Sequence, residues 1–161
     1  MRKVIGIVGW KDVGKTFVVT EIIKLLVQKG YKVGSIKHAH HNFDIDHQGT
    51  DSYKHRKSGS SEVIISSSKR WAKISENNNK KEKNLNELLK EFNDIDVAIV
   101  EGFKKENYPK IEIVSQDSKI INNDINNVVA IVADNIMESN IPVFKKNDVE
   151  SLTQFIIDKF L

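Results

Sequence analysis

Apolar stretches alternate with amphipathic ones along this chain of 161 residues. Five runs predict strands, at residues 4–8, 31–37, 97–100, 111–114 and 128–132, and the first, which is rich in β-branched residues, predicts a buried strand. Between the first two runs, apolar residues recur at helical spacing over about residues 15–28, and Gly30 stands where glycine commonly follows a helix. A strand, a helix and a strand in this order predict a right-handed βαβ unit with parallel strands.

The remaining segments continue this alternation. Further elements are predicted as a short polar helix at 50–58, two short strands at 62–66 and 70–74, and amphipathic helices from about Leu85 and Val149. Pro142 cannot donate a ladder hydrogen bond, so a strand at residues 141–144 is expected at a sheet edge. The pattern predicts an α/β fold around a mostly parallel sheet, in a single domain over residues 1–161.

Composition excludes several classes of protein. The chain has no cysteine, which rules out disulfide scaffolds, thiolate metal sites and cysteine nucleophiles. No apolar run approaches the roughly 20 residues that a membrane-spanning helix needs, and the amino terminus does not resemble a signal peptide. We therefore expect a cytoplasmic protein with no membrane partner. A net charge of +3 is too small to indicate nucleic-acid binding, and none is expected.

A phosphate-binding motif occupies residues 9–16, which match G-x-x-x-x-G-K-[ST] between a predicted strand and a predicted helix. Glycines let such a loop turn its N–H groups inward around an anion, and the helix amino terminus adds partial positive charge. Lys15 is expected to reach the β- and γ-phosphates, and the Thr16 hydroxyl to coordinate Mg²⁺. The predicted nucleotide-binding residues are Gly9, Lys11, Asp12, Val13, Gly14, Lys15, Thr16 and Phe17. For Lys11, a phosphate contact and a solvated loop lysine stay open.

Carboxylates end two of the predicted strands. Glu101 follows the run at 97–100, and ligands of parallel sheets bind at the carboxyl ends of strands. Glu101 is therefore predicted to hold Mg²⁺ or orient the attacking water, against the alternative of an ordinary surface glutamate. Asp134 follows the run at 128–132 and is a candidate for contacting a nucleotide base. No N-K-x-D motif is present, so the residues alone do not indicate guanine.

Four of the five histidines lie within residues 38–47. Three interpretations stay open: a transition-metal site, contacts to an anionic ligand with Asp44 or Asp46 completing a Mg²⁺ shell, or a polar surface loop. We favour the anionic ligand. His55 and Arg56 are further candidates for anion contacts because they lie in a cluster of charges, and Lys104 is another because it follows Glu101 closely. The candidates for anion contacts are therefore His38, His41, His55, Arg56 and Lys104.

Several of these segments together resemble the molybdopterin-guanine dinucleotide biosynthesis protein B family. The matching segments are residues 9–16, Lys37-His38 with His41 and residues 43–46, His55-Arg56, Gly59, residues 100–104, residues 109–112 and residues 132–134. The resemblance covers residues 4–134, and the histidine-rich segment combined with Glu-Gly-Phe-Lys is more specific than the phosphate loop alone.

The resemblance implies a P-loop NTPase-like fold with helices on both faces of the sheet. It also implies binding of GTP with Mg²⁺, weak GTPase activity with Lys15 and Glu101 as catalytic residues, and a homodimer. Thr16, Asp44 and Glu101 are then the expected metal ligands. The expected partner is the guanylyltransferase that attaches GMP to molybdopterin, and molybdopterin or molybdoenzymes are further candidates.

The chain departs from the family pattern at three positions. Val13 replaces a small residue, Phe17 replaces a second threonine, and Ala39 replaces an aspartate. Two other functions compete with the GTP-binding adapter. One is a small-molecule kinase on the same fold, and the other is a nucleotide-dependent scaffold without physiological turnover.

Overall fold

The computed structural model describes residues 3–39, 43–78, 81–115, 120 and 125–161. Two compact units divide the chain, one formed by residues 1–38 and 85–161 and the other by residues 39–84. The sequence-based expectation of a single domain over 1–161 stays a prediction.

The first unit is a six-stranded sheet in which every neighbouring pair is parallel. Its strands are β1 (Lys3–Gly9), β2 (Val33–Lys37), β3 (Val97–Glu101), β4 (Lys110–Val114), β5 (Val128–Ala133) and β6 (Val143–Lys145). In space they follow the order β2-β3-β1-β4-β5-β6. The β1, β3, β4 and β5 strands are nearly fully buried because both faces of the sheet are covered.

Helices cover the two faces unequally. The long helices α1 (Lys15–Gln28) and α2 (Val149–Phe160) pack together over Ile5, Ile7 and other inward residues of the central strands. The short helix α3 (Leu85–Lys90) contributes to a smaller apolar cluster with Ala98 and Val100. The alternating side chains of β1 and β3 therefore contact different layers, which confirms the predicted α/β fold with helices on both faces.

Most predicted elements are found within one or two residues, with small shifts at proline and at helix ends. The edge strand β6 begins after Pro142, whose carbonyl accepts a hydrogen bond from the Ile131 N–H at 2.9 Å. The predicted helix from Leu85 ends at Lys90, yet Phe92 still packs against the same cluster. Gly30 adopts φ +90° directly after the last residues of α1, as the sequence predicts.

The second unit consists of a hairpin and a short helix. The hairpin pairs β7 (Glu62–Ser66) with β8 (Trp71–Ser75) in antiparallel register, and the helix α4 spans Asp51–Lys57. Val63 is buried, whereas Trp71 on the other face is 65% exposed. In the part of the chain that the structure describes, no helix is both long and apolar enough to cross a membrane.

Candidate nucleotide-binding site

The site lies where the strand order of the sheet reverses, at β1. The chain leaves β1 towards β2 on one side, whereas β4, β5 and β6 lie on the other side of β1. In open parallel sheets, ligands bind at the carboxyl ends of the strands where such a reversal occurs. The carboxyl end of β1 leads into residues 9–16, so the phosphate-loop motif lies at this switch point.

The loop between β1 and α1 contains two residues with left-handed backbone conformations. Gly14 has φ +87° immediately before α1, and Asp12 has φ +62°. Aspartate is among the few residues that tolerate this region, whereas Gly14 also has little room for a side chain. A Cβ at Gly14 would lie 2.6 Å from Lys146 Cε. Val13 turns inward and is buried in the main core, where it anchors the loop.

The amino terminus of α1 is left open by the residues around it. Among the described residues, no side chain caps α1, and its first turn contains no acidic residue. In contrast, the other long helix α2 is capped by Asp148, whose Oδ1 accepts a hydrogen bond from the Ser151 N–H at 3.2 Å. Free N–H groups at a helix start, with the partial positive charge there, favour an anion. This end of α1 is therefore suited to phosphate.

Lys15 points back over the loop that precedes it. Its ammonium donates a hydrogen bond to the backbone carbonyl of Trp10. Burial lowers the pKa of Lys15 below that of an ordinary lysine. Glu101 and Asp12 partly offset this effect, whereas Lys104 and Lys37 add to it. Lys15 is thus a partly desolvated cation within the field of both Glu101 and neighbouring lysines.

Glu101 ends β3, the strand beside β1. Its side chain is 12% exposed and lies 3.5 Å from Lys37 Nζ, measured to Oε1. A carboxylate and the exposed hydroxyl of Thr16 are hard oxygen donors of the kind that Mg²⁺ prefers. The donor chemistry therefore fits Mg²⁺. Among the described residues, no group of three His, Cys, Asp or Glu side chains is placed to hold a metal by itself.

The loop after Glu101 is held by Tyr108. The Tyr108 hydroxyl lies 2.8 Å from the carbonyl oxygens of both Gly102 and Phe103. Its one proton is shared between these two acceptors. Gly102 and Phe103 have φ values of +100° and +49°, so the loop turns sharply here. A Cβ at Gly102 would approach His38 Cβ to 2.8 Å, which favours glycine. Burial raises the pKa of Tyr108 well above its usual value, so the hydroxyl keeps the proton that it donates.

Two aromatic contacts surround this loop. The ring of Phe103 stacks on the His38 ring, with centroids 4.4 Å apart. The backbone N–H of His38 donates to the Glu101 carbonyl at 2.9 Å. On the other side, Lys104 Nζ lies 5.1 Å from the centre of the Trp10 ring. Trp10 belongs to the phosphate loop and is 48% exposed. The Trp10–Lys104 contact therefore connects the loop after β1 with the loop after β3.

A third part of the rim follows β5 and β6. An open depression of about 340 Å³ is lined by Phe17, Asp134, Lys146 and Asn147. Asp134 Oδ1 lies 3.6 Å from Lys146 Nζ. Phe17, in the first turn of α1, is 52% exposed. The depression thus joins an aromatic ring to polar groups beside the phosphate loop.

The second unit contains further predicted site residues, among them Asp44, His55 and Arg56. Arg56 donates to Asp46 Oδ1 at 2.7 Å and to Glu76 Oε1 at 2.9 Å, and it lies 3.6 Å from Asp44. These contacts raise the pKa of Arg56, with the hydrogen bond to Asp46 the largest cause. His55 is exposed on α4. His41 lies outside the described residues, and the ligand roles of Asp44, His55 and Arg56 stay predictions.

The first unit thus brings together one group of sequence-predicted residues. Residues 9–17, His38, Glu101, Lys104 and Asp134 all lie at the carboxyl ends of its parallel strands. Sequence reasoning missed the contacts of Trp10, Tyr108 and Lys146. Lys146 was accessible to prediction, since it follows a strand in the same way as Asp134. The Tyr108 hydroxyl gave no local signal.

Comparison with known proteins places this chain in a family. The family model described as molybdopterin guanine dinucleotide synthesis protein B matches residues 4–134. The chain is 31% identical over 163 residues to the molybdopterin-guanine dinucleotide biosynthesis adapter protein of Escherichia coli (strain K12), covering 98% of this chain and 93% of that protein. It is 34% identical over 155 residues to the protein of the same name from Haemophilus influenzae (strain ATCC 51907 / DSM 11121 / KW20 / Rd), covering 94% and 86%.

A solved structure agrees with the fold. The crystal structure of molybdopterin-guanine biosynthesis protein B superposes with a TM-score of 0.79 at 26% identity, covering 96% of this chain and 97% of that one. The sequence resemblance is therefore confirmed over most of the chain. The chain belongs to the molybdopterin guanine dinucleotide synthesis protein B family.

Proposed function

We propose that the chain binds GTP with Mg²⁺, hydrolyses it slowly, and acts as an adapter beside the enzyme that attaches GMP to molybdopterin. The observation that carries the nucleotide proposal is the amino terminus of α1, which has no side-chain cap among the described residues. Residues 9–16 connect β1 to this end of the helix, and the Lys15 ammonium lies over that loop. The names of the E. coli and H. influenzae relatives, which describe biosynthesis adapter proteins, support the adapter role.

The residues divide the chemistry among them. Backbone N–H groups of the loop and of the first turn of α1 bind the phosphates. Lys15 exchanges its bond to the Trp10 carbonyl for a phosphate oxygen. Thr16 and Glu101 would hold Mg²⁺, which neutralises charge on the phosphates when bound. Glu101 also orients the attacking water, and Asp134 accepts hydrogen bonds from the base.

Labelled GTP tests this proposal directly. Binding should require Mg²⁺, disappear with a chelator, and resist excess ATP. Equal competition by ATP would favour the small-molecule kinase, and no binding of either nucleotide would remove the proposal. Single-turnover hydrolysis with and without the guanylyltransferase distinguishes a slow GTPase from a scaffold without turnover.

We also propose that the chain forms a homodimer, as the family resemblance implies. In the second unit, Ile64 and Trp71 lie on the same face of the hairpin and are 66% and 65% exposed. Large exposed apolar side chains on one face are typical of an interaction surface. Light scattering should give twice the chain mass, and Ile64→Lys should shift the mass towards the monomer. A monomeric wild-type chain at high concentration would contradict this.

A further inference from the structure

Lys146 and Asp134 come from consecutive strands and meet in the depression beside the phosphate loop. Asp134 follows β5 and Lys146 follows β6, and the Lys146 N–H donates to the Ala133 carbonyl at 2.9 Å. Adjacent parallel strands therefore fix where both side chains begin. The Lys146 ammonium lies 3.6 Å from Asp134 Oδ1. The end of the same side chain lies against Gly14, where a Cβ would be 2.6 Å from Lys146 Cε and 2.9 Å from Lys146 Nζ. The pair is partly shielded, with side-chain exposures of 25% for Lys146 and 44% for Asp134.

The depression has the composition expected for one planar ring. Phe17 presents an exposed aromatic side chain on one wall, and Asp134, Lys146 and Asn147 supply the polar groups. Aromatic side chains stack on any purine, so Phe17 does not discriminate between bases. Discrimination must therefore come from the polar groups.

Guanine and adenine make different demands on an aspartate. Guanine presents its N1–H and its N2 amino group side by side, so one carboxylate can accept from both. Adenine presents one amino donor next to an unprotonated ring nitrogen, which accepts. An isolated Asp134 would therefore favour guanine. A lysine beside Asp134 competes for the carboxylate and reduces its attraction for two further donors.

We propose that Lys146 weakens the preference of this chain for guanine over adenine by pairing with Asp134. The inference rests on the proposed nucleotide binding and adds a residue that tunes its selectivity. Wild-type protein still prefers guanine, but less than the same chain without the Lys146 ammonium. Lys146 is thus a specificity-determining residue for the base.

The test compares non-hydrolysable GTP and ATP analogues by calorimetry, with Mg²⁺ present. The measured quantity is the ratio of the ATP-analogue Kd to the GTP-analogue Kd. Lys146→Met should raise this ratio about three- to fivefold, the size expected for loss of a partly exposed ion pair. Lys145→Met is the matched control, because it removes the same charge one residue away on an exposed side chain, and it should leave the ratio unchanged.

Asp134→Asn completes a double-mutant cycle. In the Asp134→Asn background, Lys146→Met should no longer change the ratio, because the carboxylate it acts on is gone. An unchanged or lower ratio in Lys146→Met, with both analogues still bound, overturns this inference and leaves the proposed function intact. Failure of wild-type protein to bind either analogue overturns both. Thermal melts of each variant verify that the chain is folded.

Discussion

Two cations that the sequence predicts to contact an anionic ligand have opposite surroundings in the two units. Lys15 is desolvated at the sheet edge, bonded to one backbone carbonyl, and its pKa is lowered. Arg56 donates to the carboxylates of Asp46 and Glu76, and its pKa is raised. A cation whose charge is not fully compensated gains from an arriving phosphate, whereas one already paired with carboxylates must exchange partners. A cluster of charges in sequence therefore does not indicate which cation is available.

Glu101→Gln should have the largest effect. We expect hydrolysis of GTP to slow by roughly 100-fold, since the amide cannot act on water or metal as a carboxylate does. GTP affinity should change much less, and comparing single-turnover rates with Kd values measures both.

Lys37→Met is the control for this variant, because it removes the cation that pairs with Glu101 and keeps the carboxylate. If Lys37→Met slowed hydrolysis as much as Glu101→Gln, the ion pair rather than the carboxylate would be responsible. A Glu101→Gln variant that lost binding but not hydrolysis would assign Glu101 a structural role.

Lys15→Ala should weaken GTP binding about tenfold or more, because hydrogen bonds to charged groups contribute roughly 1.5–3 kcal/mol. The fold should persist, since the ammonium bonds only to the Trp10 carbonyl among the contacts described. Filter binding measures the affinity. Lys11→Ala, in the exposed part of the same loop, tests whether any loop lysine would serve. Unchanged affinity in a folded Lys15→Ala chain would remove Lys15 from the site.

Arg56→Met should lower the Tm of the chain by several degrees, because Asp46 would keep a charge in a buried position without its main partner. Lys57→Met, on the same helix, removes an exposed cation and serves as the control. GTP affinity should be unchanged in both. A fall in affinity at constant Tm would instead support the sequence-based prediction that Arg56 contacts the anion, and the contrast with Lys15 would fail.

The lowered pKa of Lys15 sets a direction for pH dependence. The ammonium is the form that binds phosphate, and a lowered pKa means that it loses its proton at a lower pH than an ordinary lysine. GTP affinity should therefore begin to fall, as pH rises, before the usual lysine range is reached. Lys15→Arg, which stays charged, should show no such fall even if its affinity is lower throughout. Parallel pH profiles for the two proteins would contradict this assignment.

Tyr108→Phe should have the smallest effect. Removing one buried hydroxyl leaves the Gly102 and Phe103 carbonyls without this donor and should cost about 1 kcal/mol of unfolding free energy in urea. Tyr31→Phe, at the opposite end of the sheet, is the control and should cost less. Equal losses in the two variants would show that Tyr108 does not specifically hold the loop after Glu101.

The sequence predicted those parts of the molecule whose pattern lies within one continuous segment of the chain. Because β1 and β3 are buried on both faces, they are continuous apolar runs, and these runs predicted them. The phosphate loop was predictable because all its motif residues lie within residues 9–16. Lys146 and Tyr108 were missed because their partners lie elsewhere in the chain or on another strand. The sequence of residues 54–57 shows cations but not the carboxylates at 46 and 76 that pair with Arg56.

Trp10 gives the molecule its own optical reporter. The chain has two tryptophans, one beside Lys15 in the first unit and Trp71 on the hairpin of the second. In a Trp71→Phe chain, tryptophan fluorescence would therefore come only from Trp10 in the phosphate loop. The Lys104 ammonium lies over the Trp10 ring, and Lys15 donates a hydrogen bond to the Trp10 backbone carbonyl. Under the proposed function Lys15 exchanges the Trp10 carbonyl for a phosphate oxygen, so the emission intensity of this indole should follow nucleotide occupancy in real time without any label on the nucleotide.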